Sequence, residues 1–541
     1  MTNPTLKPAP PAWLEDAVFY EIYPQSYFDT NGDGIGDLAG ILSKLDYIQS
    51  LGVNAIWLNP CFASPFQDAG YDVADYYQVA PRYGSNDDLV RLFAEAHRRG
   101  MRILLDLVAG HTSIQNPWFI ESCKAEKNEY SDWFIWNDSP WTWSEPGFHV
   151  VHGYADRHGN YLTNFFYSQP ALNYGFAHPD PAKPWQQPID APGPQRVRQE
   201  MKNIMRYWLD LGASGFRVDM AGSLVKSDPG QVETARLWRE MRSWLDAEYP
   251  DAVLISEWSN PSIAVTQGGY HMDFILHFGS PGYGSLFRKP YSGSGYDRYG
   301  FCFFDRSGHG NIREFLDEYL YHLKNMRGLG YIAIPTGNHD INPRIAINRD
   351  AQDMELVYLF LMTIPGIPYI YYGDEIGMTS LPGIPSKEGG FERTASRTPM
   401  QWNHAANAGF SSAVKEKLYL PVDERPERVS VEQQEIDPAS LLNRVRRLVK
   451  MRHDQPALRA GSDFEPVFAE AGKLPLVYLR AQGSERILVA INPGEQSVTA
   501  TLNGLHVTAI EPLFGPAGAL QETPQGWKLV LPGVSGIAYK V

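Results

Sequence analysis

The chain has 541 residues, a formal net charge of −15, 43% hydrophobic and 20% charged residues. That length is enough for two or three domains, and the acidity argues against nucleic acid or an anionic membrane surface as a partner. Cys61, Cys123 and Cys302 are odd in number and widely spaced with no CxxC, which argues against a disulfide framework or a structural zinc site.

The first twelve residues, MTNPTLKPAPPA, are polar and Pro-rich, without the apolar stretch of a signal peptide. No run of about 18 apolar residues follows, so a cytoplasmic protein without a membrane span is expected. From there strand-like and helical patterns alternate. Strands are predicted at 18–24, 53–60, 101–108, 215–219, 252–257, 272–278, 331–340 and 367–375. Helical spacing covers 38–51, 86–99, 195–211, 231–248, 311–327, 350–363 and 437–453. Eight strands, most followed by a helix, imply parallel pairing and a closed barrel, although an open doubly wound sheet shows the same alternation.

Two stretches interrupt the alternation. Roughly 85 residues rich in Trp, Tyr, Pro and Asn separate the third strand from the helix at 195, longer than an ordinary βα connection. Residues 376–435 are again irregular, and short strand-like pieces from about 456 onward suggest a C-terminal all-β domain.

Polar residues collect where the strands end: Asp106 to His111, Arg217 and Asp219, Glu257, then Asn338, His339 and Asp340. In a parallel barrel those ends share one mouth. Unpaired charges buried there would cost roughly several kcal/mol each, so three carboxylates on separate strands argue for chemistry. No HExxH, GxSxG, GxGxxG or GxxxxGK[ST] motif is present. Converging carboxylates suit glycoside cleavage, one attacking the anomeric carbon while another protonates the leaving oxygen. Arg217, two residues before Asp219, projects to the same strand face and should keep that carboxylate ionised.

The strings DLVAGHTS, GFRVDMAG, ISEW and GNHD, in this order and spacing, resemble the four conserved regions of the α-amylase family of glycoside hydrolases (family 13). QPALN at 169–173 resembles its fifth. The resemblance implies a (β/α)8 barrel formed by 1–110 and 186–455, an inserted domain B at 111–185 after the third strand, and a C-terminal β-sandwich at 456–541. It implies Asp219 as nucleophile, Glu257 as general acid/base and Asp340 as transition-state stabiliser. His111, Arg217 and His339 would surround the sugar, with Tyr71 as the aromatic platform beneath it. SRTPMQW at 396–402 resembles the oligo-1,6-glucosidase, maltase and trehalose-synthase branch. There the arginine, here Arg397, pairs with the aspartate of a D-x-GYD segment, here Asp68, and closes the pocket behind a terminal glucose.

Three positions depart from the pattern: Ala171 replaces an Asp, Met220 stands where related enzymes carry Val or Thr, and Gly110 replaces a calcium-ligating Asn. Linkage preference is therefore not carried over. A different metal loop is expected at DTNGDGIGD, with Asp29, Asn31, Asp33, the Ile35 carbonyl and Asp37 as oxygen donors to a structural Ca²⁺. The alternative is a solvated Asx/Gly turn. No organic cofactor is expected. These features imply a retaining, exo-acting α-glucosidase on short α-glucosides, with transglucosylation as a companion reaction. A trehalose-synthase-like transferase or isomerase is the alternative, and a non-catalytic binding relative is disfavoured by the three carboxylates.

Overall fold

The computed structural model describes residues 9–276, 280–288, 301–507, 509–524 and 526–541. Eight parallel strands close into a barrel: β1 Phe19–Ile22, β2 Ala55–Leu58, β3 Arg102–Leu107, β4 Gly215–Val218, β5 Val253–Ser256, β6 Met272–Phe274, β7 Tyr331–Pro335 and β8 Ile367–Tyr371. Closure is direct, because β1 pairs with β2 on one side (Phe19 with Ala55) and with β8 on the other (Phe19 with Tyr369). Parallel strands covered on both faces are mostly apolar, and β1, β2, β4, β5, β6 and β8 are buried at every position, their few charged residues (Glu21, Arg217 and Asp273) included. Gly215 opens β4 at φ 145°, where a Cβ would lie 2.2 Å from the Val253 carbonyl oxygen. Only glycine permits so close an approach of two backbones.

The eight predicted strands and the barrel are therefore observed. The sixth is shorter than expected, and residues 277 and 278 of that prediction lie outside the described residues. The helices at 192–210, 232–248, 312–326, 351–363 and 441–454 match the predicted ones within a few residues. The helix expected at 38–51 is instead two short ones, Leu38–Ser43 and Leu45–Ser50, parted at Lys44 (φ −105°, ψ 5°). Both halves still bury Leu38, Ile41, Leu45 and Ile48, so the apolar spacing survives the break.

The C-terminal strands are β9 Asp463–Phe468, β10 Leu476–Gln482, β11 Glu485–Asn492, β12 Val498–Leu502, β13 Glu511–Phe514, β14 Leu520–Thr523, β15 Gly526–Leu531 and β16 Ser535–Lys540. They form an antiparallel five-stranded sheet, β9-β10-β11-β16-β13, and a three-stranded sheet, β12-β15-β14. Val477, Leu479, Leu488, Leu502, Leu529, Leu531 and Ile537 fill the core of these sheets. Among the described residues, no helix is long and apolar enough to cross a membrane.

Candidate functional site

The barrel delivers its polar residues to one mouth. Asp219 directly follows β4, Glu257 directly follows β5, and His339 and Asp340 sit on the turn beyond β7. Arg217 points inward from β4 and is 1% exposed. Its guanidinium meets Asp106 at 2.8 Å, Asp219 at 3.1 Å and Glu257 at 2.6 Å, so one cation ties three carboxylates together. Asp106 is in turn fixed by hydrogen bonds from Trp57 Nε1 (3.0 Å) and the Tyr71 hydroxyl (2.9 Å). Sequence reasoning marked Asp106 only as the start of a polar strand end; its role as anchor depends on the partners that β2 and the Tyr71 loop bring to it.

Burial raises both Asp219 and Glu257, helped by Glu257 for Asp219 and by Asp340 and Asp106 for Glu257, and contact with Arg217 does not offset this. The expectation that Arg217 alone keeps Asp219 ionised is therefore corrected: the pair as a whole retains a proton more readily than isolated carboxyls would. Glu257 also accepts the Met220 backbone N–H at 2.9 Å. Met220 is held at φ 42°, a left-handed conformation that a branched or long side chain adopts only when its surroundings enforce it.

Asp340 has the opposite character. Burial would raise it, but His339, Arg393 and Arg397 together hold it well below the usual carboxylate range. Arg393 reaches its Oδ1 at 2.7 Å and Arg397 reaches the same atom at 2.8 Å. His339 lies between Asp340 (3.3 Å) and the buried Glu21 (3.0 Å). Burial alone would lower its imidazole, yet these two acids lift it to about 9, so the ring is a cation at neutral pH. Tyr71 stacks on it, with ring centroids 5.2 Å apart at 14°. His111 instead stays neutral: burial pushes it down to about 4. One of its ring nitrogens, Nε2, contacts the Tyr71 carbonyl at 3.0 Å and the other, Nδ1, the Asn164 amide at 3.3 Å.

The predicted pairing of Arg397 with Asp68 is not the one observed. Arg397 bonds the His339 carbonyl (2.7 Å) and Asp340, whereas Arg393, four residues earlier, faces Asp68 at 3.5 Å. Residues 391–396 form a short 3-10 segment, which lets both arginines reach Asp340 and sends only Arg393 on to Asp68. Gln169, from QPALN, completes the corner by donating to Asp68 at 2.7 Å.

Residues of the long stretch after β3, together with Lys226, supply the rest of the rim. Phe165, 46% exposed, meets His111 edge-on with centroids 5.9 Å apart. Asn164 also donates to the Gly110 carbonyl at 2.8 Å, and a Cβ on Gly110 would lie 2.6 Å from that amide nitrogen. The glycine that replaces the family's asparagine thus makes room for Asn164. Lys226 donates to Asn164 Oδ1 at 3.0 Å, and burial pushes its ammonium down to about 8.

The loop at 29–37 lies apart from this cluster. Asp29 accepts the backbone N–H groups of Asn31, Gly32 and Gly34 at 2.8–3.0 Å, and the Ser411 hydroxyl at 2.5 Å. Asn31 accepts from Asp33 and Asp33 from Ile35, both at 2.9 Å, while Asp37 accepts from Thr30 at 2.9 Å and Gly40 at 2.6 Å. Among the described residues, no three His, Cys, Asp or Glu side chains are gathered so as to hold a metal ion.

Comparisons with known proteins bear on the family and the fold. The family model "Alpha amylase, catalytic domain" matches residues 21–461. The trehalose synthase/amylase TreS of Mycobacterium tuberculosis is 32% identical, over 84% of this chain and 77% of that protein. The oligo-1,6-glucosidase of Heyndrickxia coagulans is 31% identical, over 90% of this chain and 93% of that protein. The crystal structure of the trehalulose synthase MutB from Pseudomonas mesoacidophila MX-45 aligns with a TM-score of 0.79 at 28% identity, covering 98% of this chain and 99% of that one.

Proposed function

The chain belongs to the α-amylase family of glycoside hydrolases, and we propose that within it the protein is a retaining, exo-acting α-glucosidase releasing the non-reducing terminal glucose of short α-glucosides. The observation that carries this reading is the wall made by Asp68, Arg393, Arg397 and Asp340. Charged, hydrogen-bonding side chains closed against one another leave a pocket for one terminal sugar and grip its hydroxyls.

In this reading Asp219 attacks C1 as the C1–O bond breaks, and the bonding pair goes to the leaving oxygen, which takes the proton of Glu257. A β-glucosyl-enzyme forms. Water then gives a proton to Glu257 and attacks C1, freeing the Asp219 carboxylate. Retention needs the two carboxyls about 5 Å apart, a span that the two arms of the Arg217 guanidinium can bridge. Asp340, held ionised by three cations, stabilises the oxocarbenium-like transition state.

Transglucosylation is the second reading, favoured by the mix of glucosidases and sugar synthases among the relatives. Both share the glucosyl-enzyme and differ in whether water or a sugar reaches it. Incubation with maltose, isomaltose, sucrose and trehalose, followed by chromatography, is expected to show free glucose from at least one of them. Conversion to an isomeric disaccharide at constant total disaccharide would replace hydrolysis by transfer.

We also propose that the loop at 29–37 takes a structural Ca²⁺. Its donors would be the side-chain oxygens of Asp29, Asn31, Asp33 and Asp37 and the Ile35 carbonyl, hard oxygens of the kind calcium prefers, and the three aspartates, which are not gathered in this structure, would have to draw together around the ion. The N–H groups bound to Asp29 use part of its lone-pair capacity and fix its orientation. Calcium at about 100 times its dissociation constant would add about 2.7 kcal/mol of stability. The melting temperature is therefore expected to rise by several degrees when Ca²⁺ is returned to EDTA-treated protein, and an unchanged value would remove the ion.

A further inference from the structure

We propose that Arg82 is the positioning residue that sets the back wall of the sugar pocket by clamping the two segments that carry Asp68 and Arg393. The inference rests on the exo-glucosidase reading and adds how its closed end is held. Asp68 lies in a loop where Phe66 (φ 58°) and Ala69 (φ 54°) are left-handed. Arg393 lies beyond a second such turn, Glu388 (φ 50°) and Gly389 (φ 60°). Non-glycine residues in this region persist only when neighbours over-determine them. Gly389 passes so close to the first loop that a Cβ would sit 3.0 Å from the Gln67 carbonyl oxygen and 3.3 Å from Asp68 Oδ1.

The group that touches both segments is the Arg82 guanidinium. Its flat face lies 3.1 Å from the Phe66 ring centroid, with Tyr83 at 5.1 Å and Tyr419 at 5.2 Å. One edge nitrogen, Nη2, donates to Glu388 Oε1 at 2.9 Å and Gln25 Oε1 at 2.5 Å and lies 3.2 Å from the Tyr83 hydroxyl. Glu388 is held from its other sides by Tyr419, by Tyr23 at 3.4 Å and by Gln25 at 3.3 Å, and its side chain is 4% exposed. Face to one segment and edge to the other, a planar cation fixes the gap across which Asp68 and Arg393 meet at 3.5 Å. Lysine supplies the charge and a donor but not the plane that lies over Phe66, so it cannot do both. Among the described residues Arg82 makes no hydrogen bond or ion pair with Asp219, Glu257 or Asp340, so it acts on the sugar only through the residues it holds in place.

The test compares Arg82→Lys in the wild-type and Asp68→Ala backgrounds, measuring kcat and KM on 4-nitrophenyl α-glucoside and the affinity for glucose by calorimetry. In the wild-type background KM is expected to rise about 10-fold and glucose binding to weaken by a similar factor, with kcat within about 3-fold. With Asp68 already removed, the same substitution should change KM by less than about 2-fold, because the two act through one contact. Equal effects in both backgrounds, or a loss of thermal stability with KM and glucose affinity unchanged, would make Arg82 a stabilising residue only. If Arg82→Lys does not fold, Phe66→Leu and Glu388→Gln loosen each side of the clamp and are read by the same comparison. A wild-type protein that binds glucose but releases none from any α-glucoside would sink the glucosidase reading while leaving the clamp testable by binding.

Discussion

Replacing Asp219 by glycine is expected to lower glucose release by on the order of 10⁵-fold with the fold intact. The carboxylate is the group from which the bond to C1 would form, and without it no covalent intermediate divides the displacement into two easier steps. Stability should suffer little. Asp219 is one of three acids on Arg217, and Asp106 and Glu257 keep that guanidinium paired when it is gone. Its removal also relieves a buried carboxyl whose burial and nearness to Glu257 are unfavourable to its charge. The space left behind makes the test sharper than a rate. With α-glucosyl fluoride and azide, the glycine variant should yield β-glucosyl azide, because the small anion enters where the carboxylate stood and attacks from the same face. The outcome is read by proton NMR of the anomeric centre. Activity within about 100-fold of wild type, or an α-configured azide, would move the nucleophile elsewhere.

The parts of the molecule legible in the sequence are those where local pattern and tertiary environment demand the same thing. A barrel strand buried on both faces is a short, mostly apolar run, and Ala55–Leu58 or Ile367–Tyr371 reads as nothing else once the helices between them are recognised. Residues placed by such strands inherit their precision. Asp219, Glu257 and Arg217 could be put at one mouth from strand ends alone. His339 and Asp340, on the turn just past β7, followed the same rule, whereas residues deeper in loops could not be placed this way. The resemblance points to Arg397 opposite Asp68, and what places Arg393 there instead is the 3-10 path of 391–396, with its bonds to Asp340 and Gly389. Arg82 carried no signal at all, since an arginine before a Tyr-Gly turn reads as a solvated charge. The internal order of the stretch at 111–185 is illegible for a related reason. Its order comes from side chain-to-backbone bonds such as Asn160 to Ser139 and Arg157 to Ser131, and from aromatic clusters around Phe119, none of which has a period.

Glu257→Gln should separate the two proton-transfer roles that the wild type combines. Glutamine keeps the size and can still accept the Met220 N–H, so the strained turn after Asp219 should stay in place. What it cannot do is give a proton to the departing oxygen. For maltose or isomaltose, whose leaving group is a sugar alkoxide, kcat/KM is expected to fall by about 10³- to 10⁴-fold. For α-glucosyl fluoride, whose leaving group needs no proton, formation of the glucosyl-enzyme should fall far less. The pH profile supplies the independent sign. Burial and the neighbouring carboxylate raise Glu257, so the wild type keeps its acid protonated above the ordinary carboxyl range and loses activity as pH rises through that raised value. Losing the proton-bearing group removes the alkaline limb, and the variant's residual rate on the fluoride should stay flat where the wild type declines. A variant that loses both substrates equally, or that keeps the alkaline fall, would assign the proton to another group on the Arg217 cluster, with Asp106 the next acid on the same guanidinium.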